Sequence, residues 1–232
     1  MINTIFITGI GTDVGKTIVS AILVEALQAD YWKPVQAGFD EGTDSEFIRA
    51  VINNDKTIIH PETYKLKLAA SPHIAARDEA VKIDLDKIEE DHFKIVNGQL
   101  TMVNEKHSVH HALLTTNTLI IEGAGGLMVP LNEEEFVLDL IKKLHTKVIL
   151  VSRNYLGSIN HSLLTAKVCK ENNIDVAGWI FNDQYLDYEN EIVQWSGYPT
   201  IASLPFSKTV DKAFIKDQAD KLRTELEVIL NQ

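Results

Sequence analysis

Six short runs of apolar, largely β-branched residues recur along the chain: Thr4–Thr8, Tyr31–Val35, Thr118–Ile121, Val148–Val151, Val176–Phe181 and Thr200–Leu204. They are apolar throughout rather than alternating, which predicts strands buried on both faces. Stretches with apolar residues at helical spacing lie between or after them, at Ile18–Leu27, Ser162–Lys170 and Lys212–Leu230. Strands alternating with helices predict an α/β fold, a doubly wound and mostly parallel sheet with helices on both faces. Between roughly Ile83 and Leu114 the pattern is polar and weakly periodic, and it reads as two helices joined at Asn97-Gly98. No repeat, low-complexity tract or linker interrupts the order, so one domain over residues 1–232 is expected. Sheets of this kind place ligands just beyond the carboxyl ends of their strands.

The first run feeds directly into such a place. It continues as Thr8-Gly9-Ile10-Gly11-Thr12-Asp13-Val14-Gly15-Lys16-Thr17 and then becomes helical. A strand, a glycine-rich turn and a helix start together turn backbone N–H groups inward, where they cradle phosphate oxygens. Gly9, Gly11 and Gly15 allow the backbone angles and close approach that the turn needs. Lys16 supplies charge to the outer phosphates, and Thr17 offers a hydroxyl to Mg²⁺. The loop is one residue longer than the usual spacing, because the expected first-glycine position is Ile10. The fold is therefore expected to be P-loop NTPase-like.

Composition narrows the partners. A net charge of −11 in 232 residues disfavours general affinity for nucleic acid or anionic membranes, although a local pocket can still hold an anion. A lone cysteine, Cys169, excludes an internal disulfide framework and reads as a packed helix residue in a reducing compartment. No run of about 18 apolar residues exists, and the start lacks a signal-peptide pattern, so a cytoplasmic location is expected.

Further unusual segments follow the other runs: Lys33-Pro34-Val35-Gln36-Ala37-Gly38, then Gly42-Thr43-Asp44; Glu122-Gly123-Ala124-Gly125-Gly126; Leu156-Gly157-Ser158-Ile159-Asn160-His161; and Asn182-Asp183. An acid at the end of a buried strand beside the phosphate loop is placed as a carboxylate on the Mg²⁺ side. Taken in order, these elements resemble the dethiobiotin synthetase family, from the phosphate loop to about Pro205. The resemblance implies ATP- and Mg²⁺-dependent ring closure of 7,8-diaminononanoate with carbon dioxide, in biotin biosynthesis. A carbamate and a carbamic–phosphoric anhydride would be intermediates.

The resemblance also implies roles. Lys16 and Lys33 would manage charge as the γ-phosphoryl moves. Thr17, Asp44 and Glu122 would be the oxygen ligands on the Mg²⁺ side. Asp13, Val14, Gly15, Ile18, Gly123, Ala124, Gly125, Asn182, Asp183 and Pro205 would border the nucleotide, with Asn182 at the adenine edge. Thr12, Ala37, Ser71 and Pro72 would line the substrate pocket. Gly157, Ser158 and Asn160 would open a helix toward the substrate carboxylate, contributed by the second subunit of a homodimer.

The residues themselves leave alternatives at several positions. Lys33 could be a surface lysine before a proline turn, Asp44 a helix N-cap, and Asn182 a turn former. Ala37 stands where the family often has a hydroxyl residue, and Gly11 where it has a polar one. His107, His110 and His111 read as a solvated helix face, and Glu133-Glu134-Glu135 as a charged loop. The alternative function is a regulatory or partitioning ATPase switch. Such proteins carry a signature lysine five residues before the loop lysine, and here that position is Gly11. An amide-forming synthase with a glutaminase domain would need greater length and a nucleophilic cysteine.

Overall fold

The computed structural model describes residues 3–99, 101–102, 110–111, 118–183, 186 and 188–230. In chain order its elements are β1 (Asn3–Gly9), α1 (Lys16–Leu27), β2 (Asp30–Trp32), β3 (Val35–Ala37), α2 (Asp44–Val51), β4 (Tyr64–Leu66), α3 (Pro72–Asp78) and α4 (Leu85–Val96). There follow β5 (Thr101–Met102), β6 (His110–His111), β7 (Thr118–Gly126), α5 (Val137–Leu144), β8 (Lys147–Arg153), α6 (Ser158–Glu171), β9 (Val176–Asn182), α7 (Tyr188–Ser196), β10 (Thr200–Leu204) and α8 (Lys212–Leu230).

Six strands form one sheet in the order β10-β9-β8-β1-β7-β2. Every pairing within it is parallel. Alternate residues of β1 serve opposite faces: Ile5 and Ile7 enter one core with α1 and α8, while Phe6 enters the other with α4, α5 and α6. Burial on both faces is the reason these strands carry no polar alternation. Cys169 packs within the second of these cores, and burial pushes its thiol up to about 12. No helix among the described residues is long and apolar enough to cross a membrane.

Three expectations from the pattern differ from the structure. The run Tyr31–Val35 is two strands, because Pro34 has no N–H to donate to a ladder. The chain leaves the main sheet after Trp32 and re-pairs as β3 with β4, where the Pro34 carbonyl accepts from Tyr64 N at 2.9 Å. The segment after Asn97-Gly98 is not a second helix at its described positions. Thr101–Met102 and His110–His111 pair as a short antiparallel ladder, while His107 lies outside the described residues. The strand that begins at Thr118 continues through Glu122 to Gly126, so the glycine run is its extended end rather than a loop after it.

Candidate active site

Parallel register builds the reacting end of the site. Tyr31 and Trp32 of β2 lie opposite Ile120 and Ile121 of β7. One residue beyond the last pair, Lys33 comes to lie beside Glu122. Side chains two apart on a strand share a face, so Tyr31, Lys33, Ile120 and Glu122 all turn toward the face covered by α1. That helix starts at Lys16-Thr17, directly out of the glycine loop.

The result is a tight charged cluster. Lys33 Nζ donates to Glu122 Oε1 at 3.0 Å and forms an ion pair with Asp44. Thr17 Oγ1 lies 2.8 Å from Asp44 Oδ1 and 3.0 Å from Glu122 Oε1. The hydroxyl of Tyr31 donates to the other Glu122 oxygen at 3.0 Å. Lys33 is only 6% exposed, so the surface-lysine alternative does not hold. Burial opposes its charge, yet Glu122 and Asp44 outweigh that and hold its pKa above the ordinary lysine value. Asp44 is the mirror case: burial raises its pKa, but Lys33 and Thr17 bring it below the usual carboxylate range.

Helix α2 aims Asp44. Its N-cap is Thr43, whose side chain accepts from Glu46 N at 3.1 Å, while Thr43 N donates to Glu46 Oε2 at 2.9 Å. With this capping box complete, Asp44 is the first helical residue, and its carboxylate turns to Lys33 and Thr17. Gln36 braces the same corner. Its amide donates to Gly38 O at 2.8 Å and accepts from Asp44 N at 3.3 Å. Neither Tyr31 nor Gln36 is among the site residues expected from sequence. Both are polar residues buried in short apolar segments, and that is the one signal that marks them.

The glycine loop is shaped by two of its three glycines. Gly15 is the α1 N-cap with φ of 89°, and no side chain caps the helix, which leaves its first N–H groups for an anion. A Cβ on Gly9 would lie 2.5 Å from Val14 Cγ2. Gly11 has neither a positive φ nor any atom within 4 Å of a would-be Cβ, so the turn does not require glycine there. Instead its carbonyl accepts from Lys16 Nζ at 2.9 Å. Burial is the main influence on Lys16 and lowers its pKa to about 8, against the pull of Glu122.

The glycines of β7 divide by cause. A Cβ on Gly123 would meet the Phe6 ring at 2.6 Å, so packing beneath the site explains that glycine. A Cβ on Gly126 would lie 2.9 Å from Gly9 O, and one on Gly125 would lie 2.6 Å from Val129 and 3.8 Å from Thr12 Oγ1. Ala124 and Gly125 are half-buried beside the loop that carries the exposed Thr12 and Asp13.

On the other side of the loop lies an open cleft of about 200 Å³. Asp13, Val14, Gly15, Ile18, Asn182, Asp183 and Pro205 border it, together with Arg153, Phe206 and Phe214. Asn182 is more than a turn former. Its Nδ2 donates to Val14 O at 2.6 Å and braces the glycine loop, leaving Oδ1 and one N–H unspent among the described residues.

The remaining residues lie elsewhere. Ala37 ends β3, and Gly38 follows it with φ of 77°, packed against Ala69 just before Ser71 and the buried Pro72 at the α3 start. Gly157 is the α6 N-cap with φ of 104°, a left-handed angle that favours glycine. Ser158 is the first helical residue, and its buried side chain accepts from Tyr155 N at 3.3 Å. Asn160 is exposed. No hydrogen bond or ion pair among the described residues links Gly157, Ser158 or Asn160 to the charged cluster.

Comparison with known proteins follows the same lines. A family model described as "AAA domain" matches residues 3–213. An ATP-dependent dethiobiotin synthetase from Cytophaga hutchinsonii is 47% identical over 218 residues, covering 94% of this chain and 95% of that protein. A second, from Christiangramia forsetii, is 39% identical and covers 97% and 99%. The chain belongs to the dethiobiotin synthetase family. Among solved structures, the septum site-determining protein MinD complexed with Mg-ADP from Pyrococcus horikoshii aligns with a TM-score of 0.55. The alignment covers 99% of both chains at 14% identity, so it shares the fold alone. Fold thus leaves a switch ATPase and a synthetase equally open, and sequence identity separates them.

Proposed function

We propose that this chain is an ATP-dependent carbon–nitrogen ligase that closes 7,8-diaminononanoate and carbon dioxide into dethiobiotin, as a dethiobiotin synthase of biotin biosynthesis. The observation that carries this reading is the buried Lys33 held between Asp44 and Glu122 beside the phosphate loop. One substrate amine adds to carbon dioxide and loses a proton, giving a carbamate. A carbamate oxygen attacks the γ-phosphorus and ADP leaves. The second amine then attacks the carbamoyl carbon, phosphate departs, and the cyclic urea is complete.

Anion must meet anion in the middle step, so the chain's main task is to hold positive charge where negative charge develops. Lys16 and Lys33 do this from beyond the ends of β1 and β2, the two strands that flank β7. The N–H groups at the α1 start hold phosphate, and the cleft at Asn182, Asp183 and Pro205 takes the adenine. Thr17, Asp44 and Glu122 form a compact set of hard oxygens, two of them carboxylate, which suits Mg²⁺. Bound there, Mg²⁺ supplies charge neutralisation at the phosphate oxygens.

Thr12, Ala37, Ser71 and Pro72 face the substrate in this reading. The N–H groups at the α6 start meet its carboxylate, supplied by a second copy in a homodimer. With Ser158 N donating to Tyr155 O at 2.9 Å, the donors left open there among the described residues are the first-turn N–H groups of Ile159 and Asn160. Exposed Leu156 and Leu164 beside that helix start support a subunit contact, and residues 1–232 act as one domain.

The test is phosphate release from ATP, Mg²⁺ and bicarbonate, with and without the diamine. Release that depends on the diamine, with dethiobiotin identified by mass, is expected. Nucleotide binding without diamine-dependent turnover would leave the fold intact and sink the substrate assignment.

A further inference from the structure

We infer that Arg153 sets the nucleobase preference of the cleft by occupying the carboxylate of Asp183. This rests on the reading of the cleft as the nucleobase site. Arg153 ends β8 and lies opposite Asn182 in the β8–β9 pairing, so its side chain and Asp183 project from adjacent strand ends. Its Nε donates to Asp183 Oδ2 at 2.7 Å, and both residues border the cleft with Asn182 and Phe206. Asp183 holds a left-handed φ of 62°.

The pair is held by a buried neighbour. Asn154, 4% exposed, donates its backbone N–H to Asn182 O at 3.0 Å and its amide to Asp183 O at 3.0 Å. The strand ends that carry the acid and the arginine are therefore stapled together, and Asp183 does not swing independently of Arg153.

Guanine presents a ring N–H and an exocyclic amine side by side, a double donor that a free carboxylate accepts well. Adenine presents an amine beside a ring nitrogen lone pair, which a free carboxylate repels. With Arg153 in place, the acid's charge is neutralised and one oxygen is already engaged. Guanine then loses its best partner while adenine is spared the repulsion. The unspent Oδ1 of Asn182 remains to accept from adenine's amine. A site that leaves polar groups unmatched rejects the wrong base far more strongly than apolar contacts do.

The test uses the full chain with Mg²⁺ and without diamine. ATP and GTP each displace a fluorescent ADP analogue, and the ratio of their Kd values is the readout. The unsubstituted protein should prefer ATP. Arg153→Ala should narrow that preference by about tenfold or more. Arg153→Lys, which can still pair with Asp183, should stay near the parent ratio, and Arg153→Ala with Asp183→Asn should restore discrimination against GTP. An unchanged ratio in Arg153→Ala, or equal weakening of both nucleotides, overturns the assignment and makes Arg153 a general support. If neither ATP nor GTP displaces the analogue from the unsubstituted protein, the nucleobase reading of the cleft itself falls.

Discussion

The two halves of the site are built on opposite physical plans. At the reacting end, Lys33, Asp44, Glu122, Thr17 and Tyr31 are mutually bonded polar groups, most of them buried, each held by more than one element. At the nucleoside end, an open cleft of about 200 Å³ is lined largely by apolar side chains and backbone, with a few polar groups at its rim. A charge in a low-dielectric place acts strongly and costs heavily if left unpaired. Shape and stacking surfaces are weaker per contact but tolerate exposure. The difference suits the two tasks, since charge moves at the γ-phosphate and stays put at the base.

The sharpest way to break this comparison is Lys33→Met. It removes the one cation between two carboxylates while keeping length and stem. Turnover should fall by about 10³-fold or more, some 4 kcal/mol of transition-state stabilisation. The Kd for ATP, read by calorimetry, should shift far less. Loss of ATP binding on the same scale as turnover would show that the two halves are not separable.

A smaller effect comes from protonation of Lys16. In the free protein its pKa lies at about 8, below the ordinary lysine value, because burial disfavours the ammonium. Phosphate favours that ammonium, so binding selects the protonated form. Affinity for ATP should be full below about pH 8 and should weaken above it, by at most about tenfold per unit, until the pKa within the complex is passed. Lys16→Arg should flatten the profile, since guanidinium keeps its proton throughout. A Kd that holds constant from pH 7 to 9.5 in the parent protein would remove Lys16 from this role.

The smallest expected change is Tyr31→Phe, which deletes one donor to Glu122 and nothing else. The cost is about 1 kcal/mol, a fall of roughly 2–4 °C in Tm for a chain of this size. Calorimetry would also show nucleotide affinity nearly unchanged. A large loss of nucleotide affinity would mean that Glu122 reports to the cleft as well as to the cluster.

Much of this architecture is legible along the chain, and the reasons are local. Continuous apolar runs mark β1, β8, β9 and β10 because a strand buried on both faces has no use for polar alternation. The glycine loop declares itself because its backbone angles, lysine and hydroxyl must be contiguous. Helix α8 runs from Lys212 to Leu230, as its apolar spacing predicts. Harder to read were α2, α3, α5 and α7, each nine residues or fewer, too short for periodicity to stand out. The strand β4 is three residues long and exists through its pairing with β3.

Within the site, the identity of Lys33, Asp44 and Glu122 as candidates comes from their position after apolar runs. Their mutual contact does not. Lys33 and Glu122 are 89 residues apart, and Thr17 and Glu122 are 105 apart. They meet because β2 pairs with β7 in one register, and because Thr43 rather than Asp44 caps α2. Tyr31 and Arg153 gain their roles in the same way, from neighbours distant in sequence, whereas Gln36 bonds to Gly38 and Asp44 close by along the chain.

What the sequence determined alone was everything that depends on contiguous residues: the strand runs, the phosphate loop, the order of motifs and the family they belong to. What only the tertiary structure decided was which charges are paired, which glycines serve packing rather than access, and where Pro34 diverts the chain. Propensity and loop geometry act over a few residues of one strand or turn, whereas register, burial and electrostatic pairing depend on segments that meet only once the sheet has formed.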